Sequence, residues 1–316
     1  MRHVCGLLVV LSLPFVSMIA SGCAGGERRG FWIDLYRGEP VPYEDILEDL
    51  KGVRVVYVGE THTLQRHHQW QERIVTDLTD RGTPLVLALE QMEYHHQPAL
   101  DRYASSEIDF DKLVRDTDWA KHWSNYEQYR AILEAARRAG APILALNARA
   151  KTIRRVGKEG LEALDADTRE ELPPEINLDD PMQEERLRKV MMVHAMVQED
   201  RLRKMFEAQV SRDETMAHRL AEFLNSKRGE GLTAVVILGS GHASHGLGTP
   251  VRVRRRMPGV KDRILILTES GDLELSPKMR AMMRDITITH EQLRHLDKPY
   301  ADYLHATSAK PQESEQ

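Results

Sequence analysis

The chain has 316 residues, 41% of them hydrophobic, with 44 Lys and Arg against 49 Asp and Glu and a formal net charge of −5. That length and apolar content suffice for one large α/β domain, while the acidic balance gives no electrostatic basis for gripping nucleic acid, which is excluded as a partner. The two cysteines are Cys5 and Cys23, so the folded body is expected to hold together by its core and without a disulfide.

In chain order, residues 1–22 read as an export signal. Arg2 precedes an apolar run from Val4 to Ala20, interrupted by Pro14 and closing on Ala20-Ser21-Gly22-Cys23. Small residues at the end of so short a run mark a cleavage site rather than a spanning helix. The last four residues resemble a lipobox, with Cys23 as the acylated residue and Ala24 after it resembling the pattern of outer-membrane lipoproteins of Gram-negative bacteria. Residues 23–30 then form a lipidated, glycine-rich tether. No later segment is apolar for eighteen residues, so the lipid bilayer is expected to be reached through Cys23 alone.

The folded body is expected over residues 31–300, with a flexible tail at 301–316 that frays from about His305. Five runs rich in aliphatic residues read as strands buried on both faces: 53–58, 84–89, 142–146, 233–238 and 263–267. Helical stretches between the first three end at Gly82 before Pro84 and at Gly140 before Pro142. This alternation implies an α/β fold, a largely parallel mixed sheet flanked by helices. Residues 150–230 break the rhythm and read as a helical insertion, with a Pro173-Pro174 interruption and a charged helical stretch from about Gln183 to Lys227. Its second half carries an inward stripe of Leu202, Phe206, Gln209, Asp213, Met216, Ala217, Leu220 and Leu224. A buried Asp213 must find a partner, either at a functional site or in anchoring a loop. His67 and His68 read as residues of an exposed polar helix.

Chemistry collects after the strands: Gly59-Glu60-Thr61-His62 after the first, Glu90 after the second, Asn147 after the third, Gly239-Ser240-Gly241-His242 after the fourth. Ligands of open parallel sheets bind beyond the carboxyl ends of the strands, so these residues are expected to converge on one crevice. Glu60, His62, Glu90 and His242 are the catalytic candidates, and Glu60, His62 and His242 the candidate metal ligands.

The ordered set GETH at 59–62, ALEQ at 88–91, ALN at 145–147, AQVSRDETMA at 208–217 and GSGH at 239–242 resembles the ChaN-like haem-binding lipoproteins of the Tiki superfamily, over roughly residues 50–255. The resemblance implies a mixed α/β fold also found in erythromycin esterases, a homodimer around haem, and a link to iron or haem uptake in which an outer-membrane haem receptor is a partner. It carries over Glu60, His62, Glu90, Asn147, Asp213 and His242, but not a haem ligand. Tyrosine and histidine both ligate haem iron. Tyr94, His95 and His96 follow Glu90 closely, Tyr126 and Tyr129 lie near Trp119 and Trp123, and His245 follows His242 by three residues. Asn147 and Asp213 join these as cofactor-binding candidates. Relatives elsewhere in the superfamily resemble metal-dependent proteases or esterases, so a hydrolase built on Glu60, His62, Glu90 and His242 stands as the alternative.

Overall fold

A computed structural model of the protein describes residues 30–192, 198–269 and 298–307; the signal, Cys23 and the last nine residues lie outside them. Among the described residues eight strands form one sheet in the order β2-β1-β8-β7-β3-β6-β4-β5. They are β1 (Gly30–Asp34), β2 (Glu39–Val41), β3 (Val55–Glu60), β4 (Leu85–Glu93), β5 (Ile143–Asn147), β6 (Thr233–Gly239), β7 (Asp262–Glu269) and β8 (Tyr303–Thr307). Every pairing from β8 through β5 is parallel, and β1 pairs antiparallel with both β8 and β2. The helices are α1 (Tyr43–Asp49), α2 (Gln65–Asp80), α3 (Gln97–Ala104), α4 (Phe110–Asp116), α5 (Trp119–His122), α6 (Arg130–Arg138), α7 (Ala150–Glu159), α8 (Ala166–Glu170), α9 (Pro181–Met192), α10 (Glu199–Leu224) and α11 (Thr249–Arg256). Among the described residues no helix is long and apolar enough to cross a membrane.

Alternate residues of each central strand feed two cores, as a pleat with period two requires. Val56, Val58, Leu87, Leu89, Val235, Ile237, Leu265 and Leu267 pack with α1 to α6 on one face. Val55, Tyr57, Val86, Ala88, Val236, Leu238, Ile264 and Ile266 pack with α10 and α11 on the other. Both faces are covered, which is why the strands read as unbroken apolar runs.

The expected stops hold. Gly82 and Gly140 adopt φ of +76° and +66° just past α2 and α6, where glycine reverses the chain without steric cost. The free edge of β5 is closed by one side chain: Gln97 donates from Nε2 to Ile143 O (2.8 Å) and accepts from Ala145 N (2.8 Å), standing in for a neighbouring strand.

Two expectations change. The tail was expected to fray from about His305, yet residues 303–307 form β8 between β7 and β1, and His305 is buried against Trp32 and Trp70. The aromatic cluster that receives it comes from distant parts of the chain. The long helical stretch of the insertion is also two helices, α9 and α10, with Gln198 at the start of α10 extended at ψ 146°.

Candidate functional site

Strands β3, β6 and β4 are adjacent and parallel, so the residues after them meet at one sheet edge. Glu60, at the end of β3, is buried and surrounded by donors. Its Oε1 accepts from His62 Nδ1 (2.8 Å), Gln91 Nε2 (2.8 Å) and the Tyr129 hydroxyl (2.6 Å). Its Oε2 accepts from Gln71 Nε2 (2.9 Å), with His68 Nε2 at 3.0 Å. Burial alone would push this carboxyl up, but the bonds from His62, His68 and Tyr129 outweigh it and hold the pKa at about 2. With both oxygens engaged, Glu60 orients His62.

His62 turns its other nitrogen inward. Nε2 lies 4.0 Å from Glu90 Oε1, and a β-carbon at Gly239 would stand 2.8 Å from Nε2. The ring packs edge-on against Trp123, with centroids 4.9 Å apart, and Asn125 donates to the carbonyl of His62. Glu90 continues the line: Oε2 accepts from Gly239 N (2.6 Å) and Oε1 lies 3.3 Å from His242 Nε2. His242 Nδ1 lies 2.7 Å from Asp213 Oδ1 on α10. Asp213 in turn accepts from Gln183 Nε2 (2.8 Å) on α9 and Thr249 Oγ1 (2.9 Å) on α11.

The result is an alternating acid and imidazole row, Glu60-His62-Glu90-His242-Asp213. Burial would pull the His242 pKa down, but Glu90 and Asp213 on either side raise it to about 10. Burial would likewise raise Glu90 and Asp213, and the His242 charge instead holds both below the ordinary carboxylate range. Both ring nitrogens of His242 face carboxylates, which favours the imidazolium form. It must lose a proton before it can bind a cation.

The other candidates fall into separate places. Asn147 donates from Nδ2 to Glu90 O (2.8 Å), so it shapes the end of β4. Tyr129 is buried and committed to Glu60. Tyr126 is half-buried and stacked on Phe110 with ring centroids 6.3 Å apart. Tyr94 donates its hydroxyl to Glu171 O (3.1 Å), and burial followed by the charge of Glu171 pushes its pKa up. His245, with φ +61°, faces the lead-in to β8: its Nδ1 is 3.1 Å from Lys298 O and its ring meets Tyr300 edge-on.

His95 and His96 are half-buried, lie with ring centroids 3.8 Å apart and tilted by 39°, and stand with Glu93 in a group whose ligand atoms all lie within 4.8 Å of one another. Burial and then Arg149 lower the His95 pKa, and burial and then His95 lower that of His96.

Sequence reasoning missed His67, His68, Gln71 and Gln91. Both histidines are buried, the reverse of the exposed positions expected. The signal was present: His68 and Gln71 are three apart, one helical turn, on the face that also carries Ile74, Val75 and Leu78. His67 Nδ1 accepts from Thr61 N (2.9 Å), tying the GETH turn to α2.

The sequence matches the profile of a family described as haem-binding uptake, Tiki superfamily, ChaN, over residues 46–253. No curated protein sequence matches it significantly. Among solved structures it is similar to ChaN of Campylobacter jejuni, described as showing cofacial haem binding, at 18% identity and a TM-score of 0.64, covering 88% of this chain and 97% of that one. It also aligns with an erythromycin esterase variant in its open conformation, at 12% identity and a TM-score of 0.47, covering 76% of this chain and 77% of the other.

Proposed function

The chain belongs to the ChaN family of haem-binding uptake proteins in the Tiki superfamily, and on that premise we propose that it binds haem at the carboxyl edge of its sheet, held to a membrane by a lipid on Cys23. The observation that carries the choice of residues is the pair His95 and His96. They are half-exposed just beyond β4, in tilted ring contact with each other, and kept below the ordinary histidine pKa. A neutral imidazole with a free lone pair is what axial ligation requires. The tyrosines fit less well: Tyr94 and Tyr129 have committed hydroxyls, and Tyr126 is packed against the core. Glu60, Glu90, His242 and Asp213 are buried and only His62 reaches solvent, so the role of the row in this reading is to fix the edge.

A flat ligand on an open edge needs cover on its second face. Two copies presenting this edge to each other supply that cover, and the cofacial haem binding of the Campylobacter protein supports a homodimer. The proposed location is the outer membrane, with a haem receptor there as partner.

The test is titration of the haem-free mature chain with haemin, followed by absorbance and sizing. A saturable Soret shift with dimer formation is expected, lost in His95→Ala/His96→Ala and kept in Tyr94→Phe. A spectrum that stays that of free haemin overturns the reading.

One observation favours a second reading. His62 and His242 each present Nε2 to Glu90 with a carboxylate behind the ring, a carboxylate–histidine arrangement common at metal sites. Once His242 is deprotonated, these residues can hold a divalent cation, which would supply Lewis-acid chemistry for hydrolysis. Metal-dependent turnover of an ester or peptide, abolished by His242→Ala, is the result that would establish it.

A further inference from the structure

We propose that Glu93, His95 and His96 form a site for a first-row divalent transition-metal ion, separate from the Glu60–His242 row. The site is built by an irregularity in the sheet. β4 and β5 pair in register through Leu89 and resume only at Glu93 opposite Asn147; such bulges re-aim side chains at functional edges. The chain then turns into a single 3₁₀ turn, Tyr94–His96, which places two imidazoles side by side next to the Glu93 carboxylate.

The donors are held in place from outside. Glu93 Oε1 accepts from Ala150 N at the start of α7 (3.1 Å), which leaves Oε2 directed at His95 Nδ1, 3.4 Å away. That Nδ1 is buried and makes no hydrogen bond of good geometry, with the Glu93 carboxylate facing it at 3.4 Å. The Tyr94 hydroxyl on Glu171 O pins the turn from its other side. A backbone amide fixing a ligating carboxylate is the outer-shell support that metal sites use.

Two imidazoles and a carboxylate suit zinc, cobalt or ferrous iron, and three protein ligands leave coordination positions open. Around an ion with bonds of about 2.1 Å, neighbouring donors stand about 3.4 Å apart. The group is somewhat wider at up to 4.8 Å, a difference that side-chain rotation on a half-exposed turn can close. The site does not rest on the haem reading, although it uses the same imidazoles: an ion held by both would leave neither for haem iron. Metal and haem are therefore alternative occupants.

The experiment titrates the full mature chain, free of haem and metal, with Co²⁺ and follows the visible d–d band. One equivalent should saturate it. Glu93→Gln and His96→Gln should each weaken binding about 10-fold or more, with circular dichroism confirming the fold. Glu93→Gln should keep the haemin-induced Soret shift, and Zn²⁺ saturation of the unaltered chain should suppress it. Cobalt binding that fails to saturate, or that neither substitution changes, overturns the site. Because the titration contains no haem, that outcome is independent of whether haemin binds.

Discussion

Asp213 and His242 are 29 positions apart and come from different layers of the fold, yet their side chains meet at 2.7 Å in the interior. The contact joins the helical insertion to the glycine-rich turn after β6, so the edge of the sheet is set by an ion pair between the two.

The stability of the protein should reflect that pair on both sides of neutrality. His242 has a folded pKa raised to about 10, above the ordinary value of about 6.5. Its contribution is full below about pH 6.5 and is lost as pH rises toward 10. Glu60, with a folded pKa of about 2, contributes above about pH 4.5 and loses that contribution as pH falls toward 2, and Glu90 and Asp213 follow the same direction. Urea midpoints measured across pH should therefore fall as pH drops below about 4.5 and as it rises above about 6.5. A midpoint that keeps rising from pH 6.5 to 10 would contradict the buried imidazolium.

Asp213→Asn should cost about 3 kcal/mol or more, since it removes one partner of a buried charged pair and leaves the other behind. It should also lower the His242 pKa and flatten the alkaline limb. NMR titration of the His242 ring protons checks the second effect directly, and an unchanged pKa would show that Glu90 alone holds the proton.

Glu60→Gln is expected to destabilise the fold by about 3 kcal/mol, because the donors of His62, Gln71, Gln91 and Tyr129 would face an amide in place of a carboxylate. Haemin binding should survive with the same visible spectrum. Retained stability, measured by urea unfolding, would mean that the buried carboxylate is not the anchor described above.

Gly239→Ala tests the closeness of the two loops. The backbone there has φ −62°, which any residue adopts, but the added methyl would stand 2.8 Å from His62 Nε2 and 2.9 Å from Cε1. The expected outcome is a displaced imidazole at a stability cost of about 1–3 kcal/mol. Unaltered His62 ring resonances in the variant would count against the packing.

Cys23→Ser should release the protein from membranes, because the lipid is the proposed attachment and one residue determines it. Detergent-free fractionation gives the answer: recovery of the serine variant in the membrane pellet would remove the anchor from the account.

The central strands and their parallel pairing were legible because both faces of the sheet are covered, which leaves continuous aliphatic runs in sequence. Glu60, His62, Glu90 and His242 were legible because each ends such a run. What escaped is polar and supplied from elsewhere: His68 and Gln71 on α2 and Gln183 on α9 carry ordinary helix-surface residue types, and only their buried partners reveal them. β8 escaped for a related reason. Its sequence YLHAT is short and mixed, and its place is fixed by β7, β1 and an aromatic cluster that no local pattern announces.

The position of β8 also orders events in time. Among the described residues the hairpin of β1 and β2 pairs with the rest of the sheet through β8 alone, so that hairpin has no place in the main sheet until residue 307 has left the ribosome. The sheet closes last at the join between its two chain ends, and contacts of such long sequence separation are slow to form. A chain built this way leaves β1 and β2 unattached to the parallel strands until β8 has been made.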